Sequence, residues 1–159
     1  MVHRCLKPSN LLLEKDRSGA RRVILFDFGL ARVSTEAADG VTMGDFGRVL
    51  GLFSFMPPEQ IGRAKIVDLR ADVYALSTVI FQALSGQLPY RARNVLALVE
   101  AKSKTRARRL SDVLGERADP RLDAFLARGL ERDPAGRFQS AEDAQTAWSS
   151  LLGPPAEEL

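Results

Sequence analysis

Cysteine is nearly absent from this chain: Cys5 is the only one in 159 residues, so no internal disulfide can form. A reducing, cytoplasmic compartment is the reading that follows. Long hydrophobic runs are missing too, and every apolar run falls far short of the ~20 residues that a membrane span requires. No basic start leads into a hydrophobic segment and a small-residue cleavage site, so no secretory signal is read and no membrane role is expected. Charge of one sign is scarce: the net value is only +3, too weak to argue for nucleic acid. Internal repeats are absent. What is present is ordinary for a globular protein, with 45% apolar and 27% charged residues in a length that suits one domain with its own core.

Taken in order, the chain alternates a few apolar runs with turn signals. Leu11–Leu13 and Arg22–Phe26 flank Ser18-Gly19 and read as a small hairpin, with Leu11, Leu12 and Leu13 forming a short buried strand. Val33 to Val49 is rich in Gly, Thr, Asp and Ala without a period, and reads as a long surface loop. Pro57 to Ile61 suits a short helix with proline in its first turn. The strongest helix runs from about Leu69 to Ser85, with Val73, Leu76, Val79, Ile80, Ala83 and Leu84 at helical spacing. Asp68 can cap its start and Gly86 ends it, while Tyr74 and Phe81 widen its apolar surface enough to predict burial on more than one side.

Three weaker helices are predicted at Asn94–Lys102, Pro120–Leu130 and Ala141–Leu152, with start signals at Asp119-Pro120 and at Ser140 followed by Glu142-Asp143. Gly153-Pro154-Pro155 stops the last one, leaving residues 153–159 as a disordered tail. The fold class is therefore mainly α with one small β-hairpin near the N-terminus, in a single domain over residues 1–152. Lys102 to Arg109 carries five positive charges in eight residues but no interleaved aromatics for stacking, so it reads as a solvated surface between helices.

Chemistry concentrates at the start. Val2-His3-Arg4-Cys5-Leu6-Lys7-Pro8-Ser9-Asn10 packs hydrogen-bonding side chains ahead of an apolar run, with Pro8 stiffening the turn. Such a loop is suited to being held rigidly at a site. Asp27-Phe28-Gly29 follows the second run directly, and a carboxylate there suits a hard cation. Magnesium keeps several waters, so Asp27 with an amide such as Asn10 would suffice alongside phosphates.

These stretches resemble the eukaryote-like Ser/Thr protein kinases of bacterial type. His3 to Asn10 is similar to the catalytic loop H-R-D-L-K-P-x-N, and Asp27-Phe28-Gly29 to the D-F-G that follows it. Met56-Pro57-Pro58-Glu59-Gln60 resembles M-A-P-E-Q, and Asp68 to Leu76 the opening of the family's central helix. Ser85 to Tyr90 and Leu130 to Phe138 are similar to T-G-x-x-P-F and L-x-x-D-P-x-x-R-F. The resemblance implies a kinase C-lobe in which Asn10 and Asp27 ligate magnesium, with ATP as nucleotide, and Lys7 steadies the transferred phosphoryl group. It further implies that Arg4 meets a phosphorylated residue, with Ser34, Thr35 and Thr42 as candidates. Asp72 would brace the catalytic loop through backbone N–H groups, and Glu59 and Arg137 would form a buried ion pair.

Two departures bear on activity. Cys5 stands at the position of the family's catalytic Asp, and a thiol with a pKa near ~8.5 is mostly neutral and a poor acceptor. Leu52 in Gly51-Leu52-Phe53-Ser54-Phe55-Met56 replaces a threonine whose hydroxyl would reach the same loop. Thr42 to Val49 imitates a glycine-rich phosphate loop, yet no predicted strand precedes it, so a flexible loop is the reading. The resemblance begins at the catalytic loop, so the N-lobe it implies has no counterpart in this sequence, which leaves two readings open. One is a catalytically impaired, pseudokinase-type interaction module with a protein partner on the exposed lobe surface. The other is a fragment of a longer ATP-dependent kinase.

Overall fold

The computed structural model describes residues 2–27, 46–61 and 67–152. Among the described residues, two antiparallel strands, β1 (Leu11–Lys15) and β2 (Arg21–Leu25), are followed by seven α-helices. These are α1 (Phe46–Phe55), α2 (Pro58–Ile61), α3 (Arg70–Ser85), α4 (Val95–Lys104), α5 (Ser111–Leu114), α6 (Pro120–Gly129) and α7 (Ala141–Leu152). The mainly helical class with one hairpin is thus what the chain adopts. The 153–159 tail, Ser34, Thr35 and Thr42 lie outside the described residues.

The hairpin registers Leu11 with Leu25 and Lys15 with Arg21, and Asp16 closes its turn by accepting from the Ser18 and Ala20 N–H groups at 2.8 and 3.0 Å. The expectation that Leu11–Leu13 is buried is corrected here: Leu12 is 54% and Leu13 75% exposed. A lone two-stranded ribbon has two faces, and among the described residues its principal contacts are between its own two strands, which leaves Leu12 and Leu13 exposed.

Helix α3 is the axis of the domain. Asp68 accepts the Arg70 N–H at 2.9 Å at its start, and Gly86 ends it in the left-handed region at φ 68°, returning its N–H to Gln82. Its buried side is made of Ala71, Val73, Tyr74, Ala75, Ser77, Thr78 and Phe81. The small residues let neighbours approach closely: a side-chain carbon at Gly129 of α6 would collide with the Ser77 hydroxyl. The periodic apolar set predicted for the core splits instead, because Leu76 and Leu84 are 40% and 44% exposed.

Around α3 the core joins Tyr74 and Phe81 to Leu98, Leu126 and Phe138, each such side chain contributing about 1.5–3 kcal/mol by burial. Phe125 stacks against Phe138 at 4.8 Å and meets the edge of Trp148 of α7 at 5.3 Å, which places Trp148 against the core. The later helices start where their cap residues predict: Asn94 accepts from Ala97 N–H, Asp119 from Arg121 N–H, and Ser140 from Asp143 N–H.

Helix α1 departs from expectation, since the composition of residues 46–49 predicts a loop. Gly47 and Gly51 each lower helix propensity by about 1 kcal/mol, which masks the helix in sequence. Tertiary support supplies the difference. The Lys102 ammonium reaches the last turn of α1 and donates to the carbonyls of Phe53, Ser54 and Met56 at 2.9, 2.9 and 2.5 Å, satisfying groups that a helix end leaves open. Lys102 is 1% exposed, so the predicted solvated basic surface begins after it. Its four-carbon stem carries the charge inward, past the Tyr74 and Tyr90 rings at 5.2 and 5.9 Å.

Candidate functional site

Residues 3–10 form a loop gripped from below by α3. The Asp72 carboxylate, in the first turn of that helix, accepts the His3 N–H at 2.7 Å and the Arg4 N–H at 2.8 Å. His3 is buried and works in two directions. Its Nδ1 accepts the Cys5 N–H at 3.2 Å, which leaves the ring proton on Nε2, 3.0 Å from the Phe26 carbonyl to which it donates. Asn10 closes the loop with its side-chain N–H on the Cys5 carbonyl at 3.0 Å, while its own carbonyl accepts the Phe26 N–H at 3.2 Å. The end of β2 and the loop are thereby tied together, and Asp27 is delivered beside Cys5.

Arg4 and Asp27 both occupy the left-handed region, at φ 66° and 69°. Asp tolerates it; for Arg it costs about 1–3 kcal/mol and persists only where neighbours enforce it. Here Asp72 holds the Arg4 N–H, and the Gln60 side chain of α2 donates to the Arg4 carbonyl at 2.8 Å. Gln60, which the sequence shows only as the last residue of the M-A-P-E-Q-like stretch, is thus a positioning residue for the loop.

Electrostatically three of the candidate residues, Lys7, Asn10 and Asp27, surround the thiol of the fourth, Cys5. Burial pushes the Cys5 thiol above its ordinary range, the Lys7 ammonium draws it down, the Asp27 carboxylate pushes it up, and a hydrogen bond with Asn10 draws it down. The net direction is upward, so the thiol keeps its proton. Cys5 shares a recess of only about 10 Å³ with Leu52, Phe55 and Met56, so its neighbours on the α1 side are apolar. Lys7 instead lines an open cleft of about 770 Å³ whose other walls include Leu52, Phe55, Val79 and Ala83. Among the residues lining that cleft, Lys7 is the one cation, so an anion entering it would meet one ammonium on largely apolar walls.

Asn10 and Asp27 suit magnesium by donor type, one amide and one carboxylate, and no group of three or more His, Cys, Asp or Glu converges among the described residues. Such a pair would need phosphate oxygens and waters to complete six-fold coordination.

A second arrangement lies beneath the site. Arg137 uses all five of its N–H donors: Nη1 and Nη2 grip Glu59 at 2.7 and 2.9 Å, and the rest reach the carbonyls of Glu131, Arg70 and Arg132. Its side chain is fully buried and stacks 4.9 Å from the Tyr74 ring. The pair ties α2, which carries Gln60, to the segment after α6.

Comparison with known proteins places this geometry. Residues 1–149 match the protein kinase domain. The chain is 35% identical over 152 residues to the serine/threonine-protein kinase PknD of Mycobacterium tuberculosis, covering 96% of this chain and 22% of that protein. It is 31% identical over 146 residues to the serine/threonine-protein kinase pkn3 of Myxococcus xanthus, covering 89% and 26%. To the serine/threonine-protein kinase PknB of Mycolicibacterium smegmatis it is 31% identical over 147 residues, covering 90% and 22%. The chain spans about a quarter of the length of the curated relatives it matches.

Proposed function

The chain belongs to the protein kinase family, in its bacterial eukaryote-like Ser/Thr branch, and on that premise we propose that it is a kinase-like C-lobe impaired in phosphoryl transfer and used as an interaction module. The observation that carries the reading is Cys5. Kinases of this family act on ATP with magnesium, and an Asp of the catalytic loop receives or orients the proton of the attacking hydroxyl. A protonated thiol against Leu52 and Phe55 offers no such acceptor. General-base terms are worth roughly 10²–10⁴ in rate. Asn10 and Asp27 would still hold magnesium on a nucleotide's phosphates, with Lys7 as the nearby cation.

The interaction role rests on the uncovered side of α3. Leu69, Leu76 and Ile80 line a groove of about 640 Å³ with Phe125, Ala144 and Trp148, an apolar face of the kind a protein partner covers. Among the described residues no helix is long and apolar enough to cross a membrane. The proposal places the protein in the cytoplasm, with a protein rather than a membrane or nucleic acid as partner.

Incubation with labelled ATP and magnesium, alone and with a generic protein substrate, is expected to give no phosphotransfer. Magnesium-dependent phosphorylation that Asp27→Ala abolishes would overturn the reading. A second reading is favoured by the quarter-length match: a fragment of a longer ATP-dependent Ser/Thr kinase. Reading the coding DNA upstream separates the two, since a glycine-rich loop and strand lysine within ~150 codons belong to the longer kinase.

A further inference from the structure

One surface is used neither by the catalytic loop nor by the groove on α3. Between α4 and α6 lies a recess of about 340 Å³, walled by Tyr90, by Arg106, Arg108 and Arg109 after α4, and by Arg132 after α6. Some arginines elsewhere pair with carboxylates, as in Arg70–Asp68, Arg121–Asp119 and Arg137–Glu59, while others stand singly at the surface. Here only Arg109 has one, Asp123 at 3.4 Å. Arg108 donates to the Gln87 amide oxygen at 3.1 Å, and Arg91 donates to that same oxygen. Arg132 donates to the Thr105 carbonyl at 3.1 Å. The Arg106 side chain is exposed and has no partner among the described residues.

Arg108 shares its neutral acceptor with Arg91, which lies outside the recess, so its charge stays uncompensated; Arg106 and Arg132 stand beside it at the opening, likewise without a carboxylate partner. The planar fork of arginine matches the oxygens of a phosphate in paired hydrogen bonds. We propose that this recess binds a phosphate monoester carried on a peptide, a phosphoserine or phosphothreonine segment held by Arg106, Arg108 and Arg132. A phosphate's three oxygens and near-double charge can engage several forks at once, whereas a single carboxylate satisfies one. Glu131 and Asp133 also line the recess and oppose a run of acidic residues. Nucleic acid is disfavoured because Tyr90 is buried and presents no ring for base stacking. The site is independent of whether this chain transfers phosphate.

The test is fluorescence anisotropy of a labelled peptide carrying one phosphoserine, against the same peptide with serine or glutamate and an oligonucleotide of equal charge. At an ionic strength of about 0.15 M, where distant surface charge is largely screened, the phosphopeptide is expected to bind at least about tenfold tighter than either comparison peptide. Inorganic phosphate should compete. Arg106→Gln and Arg132→Gln should each weaken binding by about tenfold, while the doubly substituted hairpin Arg17→Gln/Arg21→Gln, which loses more charge, should not. Arg108→Lys keeps the charge but not the fork and should also lose most of the affinity. Thermal melts identify any variant that has not folded; Arg106→Gln removes no internal bond and carries the test. Equal binding of the serine peptide, an equal loss in the hairpin variant, or tighter binding of the oligonucleotide would each overturn the proposal.

Discussion

The underside and the rim of the first loop treat their polar residues differently. Below, every charged group that enters the fold is matched: Asp72 takes two backbone N–H groups, Arg137 spends five donors, and Lys102 spends three. At the rim, Cys5 stands between apolar residues on its α1 side and the Lys7, Asn10 and Asp27 side chains on the other, and Lys7 is the lone cation on its cleft. The difference follows from dielectric. A buried charge without partners is costly, so the underside cannot change without unfolding the lobe. A half-exposed group at the rim keeps access to water, and its chemistry can drift while the loop keeps its shape. The geometry of the loop is therefore set from below, independently of the side chains at its rim.

The largest effect should come from breaking the underside. Arg137→Met leaves Glu59 partly buried without its partner and three carbonyls without donors. Losses for such pairs run to about 3–5 kcal/mol, comparable with the stability of a small domain. Urea unfolding should find the variant largely unfolded or close to it; a loss under about 1 kcal/mol would mean that the underside is no more demanding than the rim. Asp72→Ala comes next. It orphans the His3 and Arg4 N–H groups and removes what holds Arg4 at positive φ. A cost of about 1–3 kcal/mol is expected, with amide exchange accelerating at residues 3–5 ahead of the core.

Lys102 sharpens the comparison through pH. Burial lowers its pKa from 10.5 to about 7, with Glu59 raising it and Arg137 lowering it further. Between those values the unfolded chain binds a proton that the folded one does not, so stability rises with pH from about 7 towards 10. The burial penalty is fully present below 7. The slope from one such group is at most about 1.4 kcal/mol per pH unit. Above pH 10 the buried Tyr74 and Tyr90 hydroxyls, both pushed up by burial, work the other way and close the window. Denaturation midpoints measured from pH 6 to 9 should climb in the natural protein and flatten in Lys102→Met. An equal climb in both would mean that the ammonium is not the source.

Much of this was legible in the residues. The caps at Asp119 and Ser140, the stop at Gly86 and the grip of Asp72 were readable because each rests on local chemistry or on a linked motif. Helix α1 was not, since its two glycines argue against it and its support arrives from Lys102, far along the chain. Lys102 itself looked like one more surface charge in a basic run, and sequence carries no mark of a stem threading inward between two tyrosines. The burial of Leu11–Leu13 was misjudged for a related reason. An apolar run predicts a strand, but whether anything covers it depends on partners that the run does not name.

The smallest effect belongs to the rim. Cys5→Ala removes a half-buried sulfur that shares its recess with Leu52, Phe55 and Met56, and leaves the backbone bonds of the loop in place. The stability change should stay within about 1 kcal/mol, far below that of Arg137→Met. The thiol's own chemistry gives a second measure. Because burial and Asp27 together outweigh Lys7 and Asn10, the thiolate is scarcer than in a free cysteine at the same pH. Modification by a thiol reagent at pH 8 should therefore run slower than for free cysteine. Asp27→Asn should speed it, by removing the carboxylate that opposes ionisation, and Lys7→Met should slow it. If Asp27→Asn left the rate unchanged while Lys7→Met still slowed it, then Asp27 would not face the thiol. The loop and the end of β2 would then be joined only through Asn10, His3 and Phe26.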